Sequence, residues 1–294
     1  WYSLHPLIVD ILAPLNSEQQ RKQTHLLAFE YLKEQDFRIE ALQHARLGEL
    51  TEEAVKWVEN EIDSIIADLN FSEVLAWCDI AGNEIIERSL RLQLMQIWSL
   101  LLTYQYQQAI ELASHLDSGQ VELHFPGQLL AIKGYIARGQ GNDGQARSLC
   151  ELALQELPED RFGIRVVMCS TLTNIELVNK DPEAARIWNR LEIDIARKHQ
   201  AIGLEILALF DYARVEQFRG HINRSVEVIE QGLLLSKNLP AQSRVFPRAR
   251  LVLYRGFIRW LQGNKIGALE DVYSGIDEAN QCRDVTVLLG YSLL

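Results

Sequence analysis

The sequence predicts an all-α protein built from repeated pairs of antiparallel helices. Apolar residues recur at helical spacing along the chain, and no stretch shows the two-residue alternation of a strand. The segment Gly127–Pro158 has the pattern of two helices joined by a glycine-rich turn. A short motif, a helix break followed five residues later by a small residue, then recurs along the chain. These three observations favour a stack of helical hairpins.

The segment Gly127–Pro158 carries the clearest repeat. Its second helix has one apolar face, spaced as in an α-helix, made of Ala146, Leu149, Cys150, Ala153, Leu154 and Leu157. Gly134 lies midway along the first helix, where glycine costs helix stability, so we expect another backbone to pack closely against it. Gly134, Ala146, Ala153 and Pro158 match the glycine, two small residues and closing proline of a tetratricopeptide (TPR) repeat.

The other pattern, a helix break followed five residues later by a small residue, occurs five times. The breaks at Tyr104, Gly141, Lys180, Gly220 and Gly263 precede the small residues Ala109, Ala146, Ala185, Ser225 and Ala268. Those small residues are 37, 39, 40 and 43 residues apart, against ~34 in a standard TPR. Because one helix pair cannot bury its apolar face alone, we expect the pairs to stack into a TPR-like right-handed superhelix. We expect Ala146 to lie at a close helix contact and Ala137 to be less confined.

The chain before residue 121 predicts shorter hairpins. Ser17 and Gln20 form a capping-box pattern that starts a helix reaching about Lys33. Thr51 is expected to cap a helix running to Ile66. A long helix is expected over residues 84–104, and residues 117–126 are expected to be the least helical segment and a subdomain boundary.

Three regions follow from these patterns. Residues 1–16 are expected to be the tail end of a preceding winged-helix or ATPase module. Residues 17–120 are expected to form helical hairpins leading into the superhelix. Residues 121–294 are expected to be TPR-like repeats of about 40 residues, truncated at the C-terminus. The chain opens at Trp1 and stops within an apolar helical run, so we expect an interior piece of a longer protein.

Composition excludes several classes of protein. The formal net charge is −11, which argues against a surface that grips DNA or an anionic membrane. The sequence has no signal peptide and no apolar run long enough to span a bilayer. The cysteines Cys78, Cys150, Cys169 and Cys282 lack paired spacing and indicate buried, reduced thiols of a cytoplasmic protein.

Two segments resemble one regulator family. The stretch WYSLHPL at residues 1–7, with Ile11 and Leu12, resembles the end of the ATPase module in large ATP-binding LuxR-type transcription activators. The stretch AFEYLKEQD at residues 28–36, with EALQHA at residues 40–45, resembles the helical hairpins that follow that module. This family belongs to the signal-transducing NTPases with numerous domains.

The resemblance implies a function for the chain. Such proteins consist of an ATPase, a winged helix, a TPR-like superhelix and a C-terminal helix-turn-helix, and the superhelix binds an inducer that promotes self-assembly. The expected partner is therefore a small-molecule inducer or a regulatory protein, with self-association of the full-length protein. No Walker A stretch or LuxR-type helix-turn-helix is recognisable in the sequence. ATP is thus expected only in the full-length protein, and no cofactor is expected here.

Motifs for catalysis and metal binding have simpler explanations. The run Gly139–Gly144 matches G-x-G-x-x-G, but a dinucleotide site needs a preceding strand, and here a helix precedes it. The seven histidines are scattered and no Cys, Asp or Glu cluster completes a metal site. Without a nucleophile–base pair or a carboxylate cluster, we expect neither an enzyme nor a catalytic residue in this chain.

The repeat geometry selects candidate ligand-binding residues. We take four positions on the first helices to be equivalent: Gly134, Thr173, Ala213 and Gly256. The residue that follows each of them, and the residues one helical turn before and after that residue, are then expected to face a common groove. The resulting candidates are Tyr135, Arg138, Ser170, Asn174, Phe210, Arg214, Gln217, Phe257 and Trp260. Aromatic rings stack on apolar ligand faces, and amide or guanidinium groups hold polar atoms. The same residues could instead be ordinary core and groove positions of a solenoid.

Two functions from different classes remain open. The first is the inducer-sensing and self-assembly domain of an ATP-dependent LuxR-type regulator. The alternative is a free-standing TPR scaffold that binds a partner protein or peptide. Both use a groove. The Trp1–Leu12 stretch favours the first, since a free-standing scaffold has no need of it.

We predict that the chain does not bind duplex DNA at physiological salt, because its net charge of −11 repels phosphates and its arginines lie among acidic residues. A gel-shift assay with the purified chain checks this. Sequence-specific binding by the chain would contradict the assignment of DNA contact to another domain.

Overall fold

A computed structural model describes residues 17–35, 37–67, 71–239 and 241–281. Within these ranges the chain forms α-helices, one short 3₁₀ helix and turns, and no residue lies in a strand. The predicted all-α class of antiparallel helix pairs is confirmed. The family-like stretch Trp1–Leu12 and Cys282 lie outside the described residues.

The helices follow one another with short connections. In the first part of the chain they are α1 (Glu18–Glu34), α2 (Arg38–Leu47), α3 (Thr51–Ala67), α4 (Phe71–Ala81), α5 (Asn83–Ile86), α6 (Leu90–Leu102), α7 (Tyr106–Ser114) and α8 (Ser118–His124). From Gln128 onward they are α9 (Gln128–Gly139), α10 (Asp143–Glu156), α11 (Phe162–Val178), α12 (Pro182–Lys198), α13 (Ile202–Phe218), α14 (Ile222–Leu235), α15 (Ala241–Leu261) and α16 (Lys265–Gln281). The 3₁₀ turn Ser236–Asn238 follows α14.

The chain divides into two compact units. The first contains the residues up to Asp63 together with Glu73–Gln96, and the second contains Ser64–Ser72 and the chain from Ile97 onward. The domain bounds at residues 16 and 120 stay a prediction.

The first unit is organised around aromatic residues. The ring of Phe29 on α1 meets the edge of Trp57 on α3 at 5.4 Å, and Trp57 stacks on Trp77 at 5.6 Å. Both Phe29 and Trp77 are buried. The predicted capping box starts α1: the Gln20 amide donates to Ser17 Oγ at 3.2 Å, and the Ser17 amide donates to Gln20 Oε1 at 2.9 Å.

Two predicted boundaries in this region are wrong. The helix expected over residues 84–104 is interrupted after α5, because buried Ser89 caps a new helix by accepting from the Leu92 amide at 3.3 Å. Thr51 is the first residue of α3 and not its cap, since the Ala54 amide bonds to the carbonyl of Leu50 at 3.0 Å. Short polar residues start helices as readily as they lie within them.

The segment expected to be least helical also forms a helix. Asp117 accepts from the amides of Gly119 and Gln120 at 2.9 and 3.2 Å, which starts α8. The irregular part is shorter, and it ends at Gly127, whose φ is 76°.

In the second unit, consecutive helices form antiparallel pairs. Within the pairs α9/α10, α11/α12, α13/α14 and α15/α16, the two helices pack along their lengths. The first helices of these pairs, α9, α11, α13 and α15, also pack against one another in succession. The unit therefore has a continuous layer of first helices, with a second helix covering each of them.

The five predicted breaks share one backbone geometry. Tyr104, Gly141, Lys180, Gly220 and Gly263 all have left-handed φ values between 60° and 84°. In each case the following amide bonds back to a carbonyl five residues earlier, as Asn142 does to Ala137 at 2.9 Å, and this ends the helix. The small residues five positions later are all 0–3% exposed. The structure adds a sixth case that the sequence pattern missed, Glu49 followed by Ala54.

Close approach within the α9/α10 pair explains Gly134. A Cβ at Gly134 would lie 2.9 Å from Cys150 Sγ and 3.3 Å from the Cys150 amide, so glycine is required for this contact. The partner is the Leu149–Cys150 turn of α10, one helical turn beyond Ala146. Ala146 instead packs with Ala137 and Ile175. The expectation that Ala137 is less confined is wrong, because Ala137 is only 4% exposed.

We predict that Ala146→Leu destabilises the protein by ~1–3 kcal/mol, because added methylenes overpack a site with no free space. Ala137→Leu is expected to cost a similar amount. The control is Ser148→Leu, which places the same side chain at an exposed position of α10 and should change stability by no more than about 0.5 kcal/mol. Urea denaturation measures the three differences; equal midpoints for Ala146→Leu and Ser148→Leu would contradict this packing.

Candidate functional site

The second unit contains a half-open cavity of about 720 Å³. The first helices α9, α11 and α13 supply most of its walls, with α6 and α7 along one side. Its lining includes aliphatic, aromatic and charged side chains, which is the usual composition of a small-molecule site. The principal lining residues are Phe71, Trp98, Ser99, Leu102, Tyr104, Tyr106, Tyr135, Arg138, Val166, Val167, Ser170, Asn174, Glu192, Leu204, Leu207, Phe210, Asp211, Arg214 and Arg250.

One side of the cavity is an aromatic wall. Tyr135 on α9 stacks on Tyr106 of α7 at 6.3 Å and meets Trp98 of α6 at 6.1 Å in an edge contact. A Cβ at Gly139 would fall 2.5 Å from the Tyr106 ring, so the glycine allows the ring to lie against the end of α9. Burial raises the pKa of the Tyr135 phenol well above its usual range, so this phenol stays protonated.

A polar cluster on α11 and α13 also lines the cavity. Ser170 Oγ donates to Asp211 Oδ2 at 2.6 Å. The Arg214 guanidinium donates to Asp211 Oδ1 at 3.0 Å and also donates to the side-chain oxygen of Asn174. The same guanidinium lies 5.6 Å from the ring centre of Phe210. Arg214 is therefore held in one place by a carboxylate, an amide and an aromatic face.

Glu192 of α12 completes the inner wall. Its side chain is fully buried, and its Oε2 accepts from Asn189 Nδ2 at 3.1 Å. Burial raises the pKa of the Glu192 carboxyl well above its usual range, and the nearby negative charge of Asp211 raises it further. Asn189 and Arg214 oppose this shift only in part. Glu192 thus holds a proton under conditions where an exposed glutamate would be charged.

Two buried oxygens of the lining have no hydrogen-bond partner among the residues that the structure describes. They are Oε1 of Glu192 and Oγ of Ser99, on side chains that are 0% and 1% exposed. Buried polar atoms of this kind are costly unless something bonds to them. Both atoms belong to residues that line the same cavity, so a ligand group that reached them there would supply a missing hydrogen bond.

The structure brings six of the nine predicted groove residues into this cavity: Tyr135, Arg138, Ser170, Asn174, Phe210 and Arg214. Three others lie elsewhere. Gln217 accepts from the Tyr254 hydroxyl at 3.4 Å, Phe257 packs on Tyr254 at 5.7 Å, and Trp260 is 55% exposed beside Lys265. The cavity therefore extends to α6 and α7, which precede α9, while the last pair contributes Arg250 of α15 to its lining. That these residues bind a ligand stays a prediction.

Some lining residues were missed, for two different reasons. The repeat spacing could have identified Trp98. Ile97 lies twelve residues before Ala109, as Gly134 does before Ala146, so the next residue, Trp98, is equivalent to Tyr135. Glu192 gave no such signal, since it belongs to a second helix. No cluster of three or more potential metal ligands occurs among the residues that the structure describes.

We predict that Glu192 makes the protein less stable as pH rises. The native state retains a proton that the unfolded chain releases near the ordinary glutamate pKa, so stability falls from there through the raised native pKa. Across that pH window, the free energy of unfolding of Glu192→Gln should rise relative to that of wild type by up to ~1.4 kcal/mol per pH unit. Below the window, the difference between the two proteins should not change with pH. Urea denaturation between pH 4.5 and 8 checks this, with exposed Glu156→Gln as the control. Parallel curves for wild type and Glu192→Gln would show that Glu192 ionises normally.

Comparison with known proteins finds a distant relative among transcriptional regulators. No protein-family model matches the chain. Over 211 residues the chain is 21% identical to the HTH-type transcriptional regulator MalT of Vibrio parahaemolyticus serotype O3:K6 (strain RIMD 2210633). The match covers 69% of this chain but 23% of that protein, so the chain corresponds to less than a quarter of its relative's length. The chain is distantly similar to part of a transcriptional regulator, which supports a resemblance at the level of the family. Among the described residues, no helix is long and apolar enough to span a membrane.

Proposed function

We propose that this chain is the inducer-sensing and self-assembly region of an ATP-dependent LuxR-type transcriptional regulator, and that its effector binds in the cavity of the second unit. The observation that carries the proposal is the 720 Å³ cavity itself, which lies among helices of successive pairs and has a composition suited to a small molecule. The distant similarity to MalT supports the regulator class. ATP binding and DNA binding would belong to other parts of such a protein, in the cytoplasm and away from membranes.

The position of the cavity suggests how binding could be transmitted. Its aromatic wall belongs to α6, α7 and α9, while its polar cluster belongs to α11 and α13. A ligand that contacts both walls would favour one arrangement of these neighbouring helices over others. Because a ligand shifts an equilibrium only by its difference in affinity for the two states, contacts to both walls are the feature a sensor needs. Self-assembly would then follow from the favoured arrangement.

The chemistry of the cavity favours binding over catalysis. Ser170 is bonded to Asp211, and Asp211 is paired with Arg214. A nucleophilic serine needs a neighbouring general base that can take its proton, whereas this carboxylate is engaged by a guanidinium. We therefore propose that the chain is not an enzyme.

One observation favours the alternative of a TPR scaffold that binds a partner protein or peptide. The last helix pair exposes large apolar side chains, Trp260 at 55%, Ile266 at 76% and Tyr273 at 57%. Such side chains often mark a protein-binding surface. The complete reading frame separates the two functions: a P-loop upstream and a helix-turn-helix downstream support the regulator, and their absence supports the scaffold.

We predict that Arg214→Ala and Asn174→Ala weaken the inducer response of the full-length protein. Either substitution removes the hydrogen bond that Arg214 donates to Asn174, which helps to hold this part of the cavity wall in place. Loss of a hydrogen bond to a charged group costs ~1.5–3 kcal/mol, so the inducer concentration for half-maximal response should rise about tenfold or more. A reporter gene in the native host measures the response, and circular dichroism verifies that helical content is unchanged.

The matched controls for this test come from the predicted groove residues outside the cavity. Phe257→Ala and Trp260→Ala should leave the half-maximal concentration unchanged, because neither side chain lines the cavity. If the cavity variants respond like wild type, the signal enters the protein elsewhere. If Trp260→Ala alone impairs the response, the exposed face of the last pair is the sensing surface.

A further inference from the structure

We propose that the cavity takes an uncharged, largely apolar small molecule that carries a hydroxyl or amide group, and that this group bonds to the Glu192 carboxyl on the inner wall. The inference rests on the proposed sensing function and names the chemical class of the effector. It follows from three features of the lining: its compensated charges, its apolar body and its two buried oxygens without partners.

The charged groups of the cavity are already compensated. Arg214 is paired with Asp211 at 3.0 Å, and Arg138 with Asp143 at 3.2 Å. Arg250 also makes an interaction of its own. A charged ligand would have to displace one of these pairs, or bring an uncompensated charge into a space walled by protein, and both are costly. An uncharged ligand leaves every pair intact.

The greater part of the wall is apolar. Phe71, Val166 and Leu204 form a buried cluster with Leu102 and Leu207 packed against it, and all five residues line the cavity. The aromatic wall of Tyr106 and Tyr135 continues this surface. A ligand covered with polar groups would leave most of them facing hydrocarbon, whereas an apolar body gains from burial there. The lining therefore selects a molecule that is mostly hydrocarbon.

Glu192 and Ser99 indicate which polar group the ligand should carry. Within the described part of the chain, Oε1 of Glu192 and Oγ of Ser99 have no hydrogen-bond partner, and each can donate or accept when Glu192 is protonated. A hydroxyl or a primary amide both donates and accepts, so it satisfies either atom. A carboxylate would bring a full negative charge, and Arg138 and Arg214 are already paired with Asp143 and Asp211. An ammonium only donates and would enter a cavity lined by three arginines.

Calorimetric titration of the purified chain with four probes of one chain length tests the class. The probes are 1-nonanol, nonanamide, nonanoate and nonylammonium, which share a body and differ in the head group. We expect the alcohol and the amide to bind at least about tenfold more tightly than the two ions. Tighter binding of either ion, or binding of no probe at all, would overturn the ligand class.

Substitutions locate the preference at Glu192. Glu192→Gln keeps a group that donates and accepts and should keep the preference for alcohol and amide. Glu192→Leu should reduce it to about threefold or less, and Ser99→Ala should lower it to a smaller extent. Glu156→Leu, at an exposed position of α10 outside the cavity, is the control and should behave like wild type. Thermal melting verifies that each variant is folded. A preference that survives unchanged in Glu192→Leu refutes the assigned contact.

Failure of this inference is distinguishable from failure of the sensing function. If ions bind best while Arg214→Ala and Asn174→Ala still impair the inducer response, the ligand class is wrong and the sensing site stands. If the alcohol and amide bind as expected but the cavity variants respond normally, the cavity is a binding site that does not carry the inducer signal.

Discussion

The hairpin turn with a left-handed residue is the constraint on which the second unit depends. At Gly141, Gly220 and the equivalent turns, positive φ ends one helix, and the next helix begins within two residues. The small residue five positions later then enters the contact with its partner helix without displacing it. Because Ala146 and Ser225 are fully buried, the two helices approach closely along their lengths. Repetition of this turn fixes the direction of each successive pair.

Non-glycine residues at two of these turns show how strongly the packing imposes the geometry. Tyr104 and Lys180 have φ values of 63° and 60°, a conformation that costs energy for side chains with a Cβ. The cost is offset by the burial of Ala109 and Ala185, which are 0% exposed. At Tyr104 the conformation also bears on the site, since Tyr104 lines the cavity and its ring contacts Tyr106 at 6.2 Å. Turn geometry and cavity lining are thus linked in the same residue.

The lining of the cavity combines a cluster of polar side chains that bond to one another with the buried carboxyl group of Glu192. The Ser170–Asp211–Arg214–Asn174 cluster is internally hydrogen-bonded, so it supports shape and charge balance and does not demand a ligand. Glu192 differs, because one of its oxygens has no hydrogen-bond partner in residues 17–35, 37–67, 71–239 and 241–281, although the side chain is fully buried. Glu192 thus shows how a second helix can place a buried polar side chain at a cavity whose walls belong mostly to first helices.

The sequence by itself determined the all-α class, the five turns and the small residues that follow them, because helical periodicity and left-handed helix ends are local properties of the chain. It also selected six residues of the cavity, since Tyr135, Asn174 and Arg214 hold equivalent places in successive pairs. Only the tertiary structure decided that Phe257 and Trp260 lie outside, that Ala137 is buried and that Glu192 belongs to the wall. Those outcomes depend on which helices meet across the stack, and contacts between residues distant in the chain leave no periodic trace in the sequence.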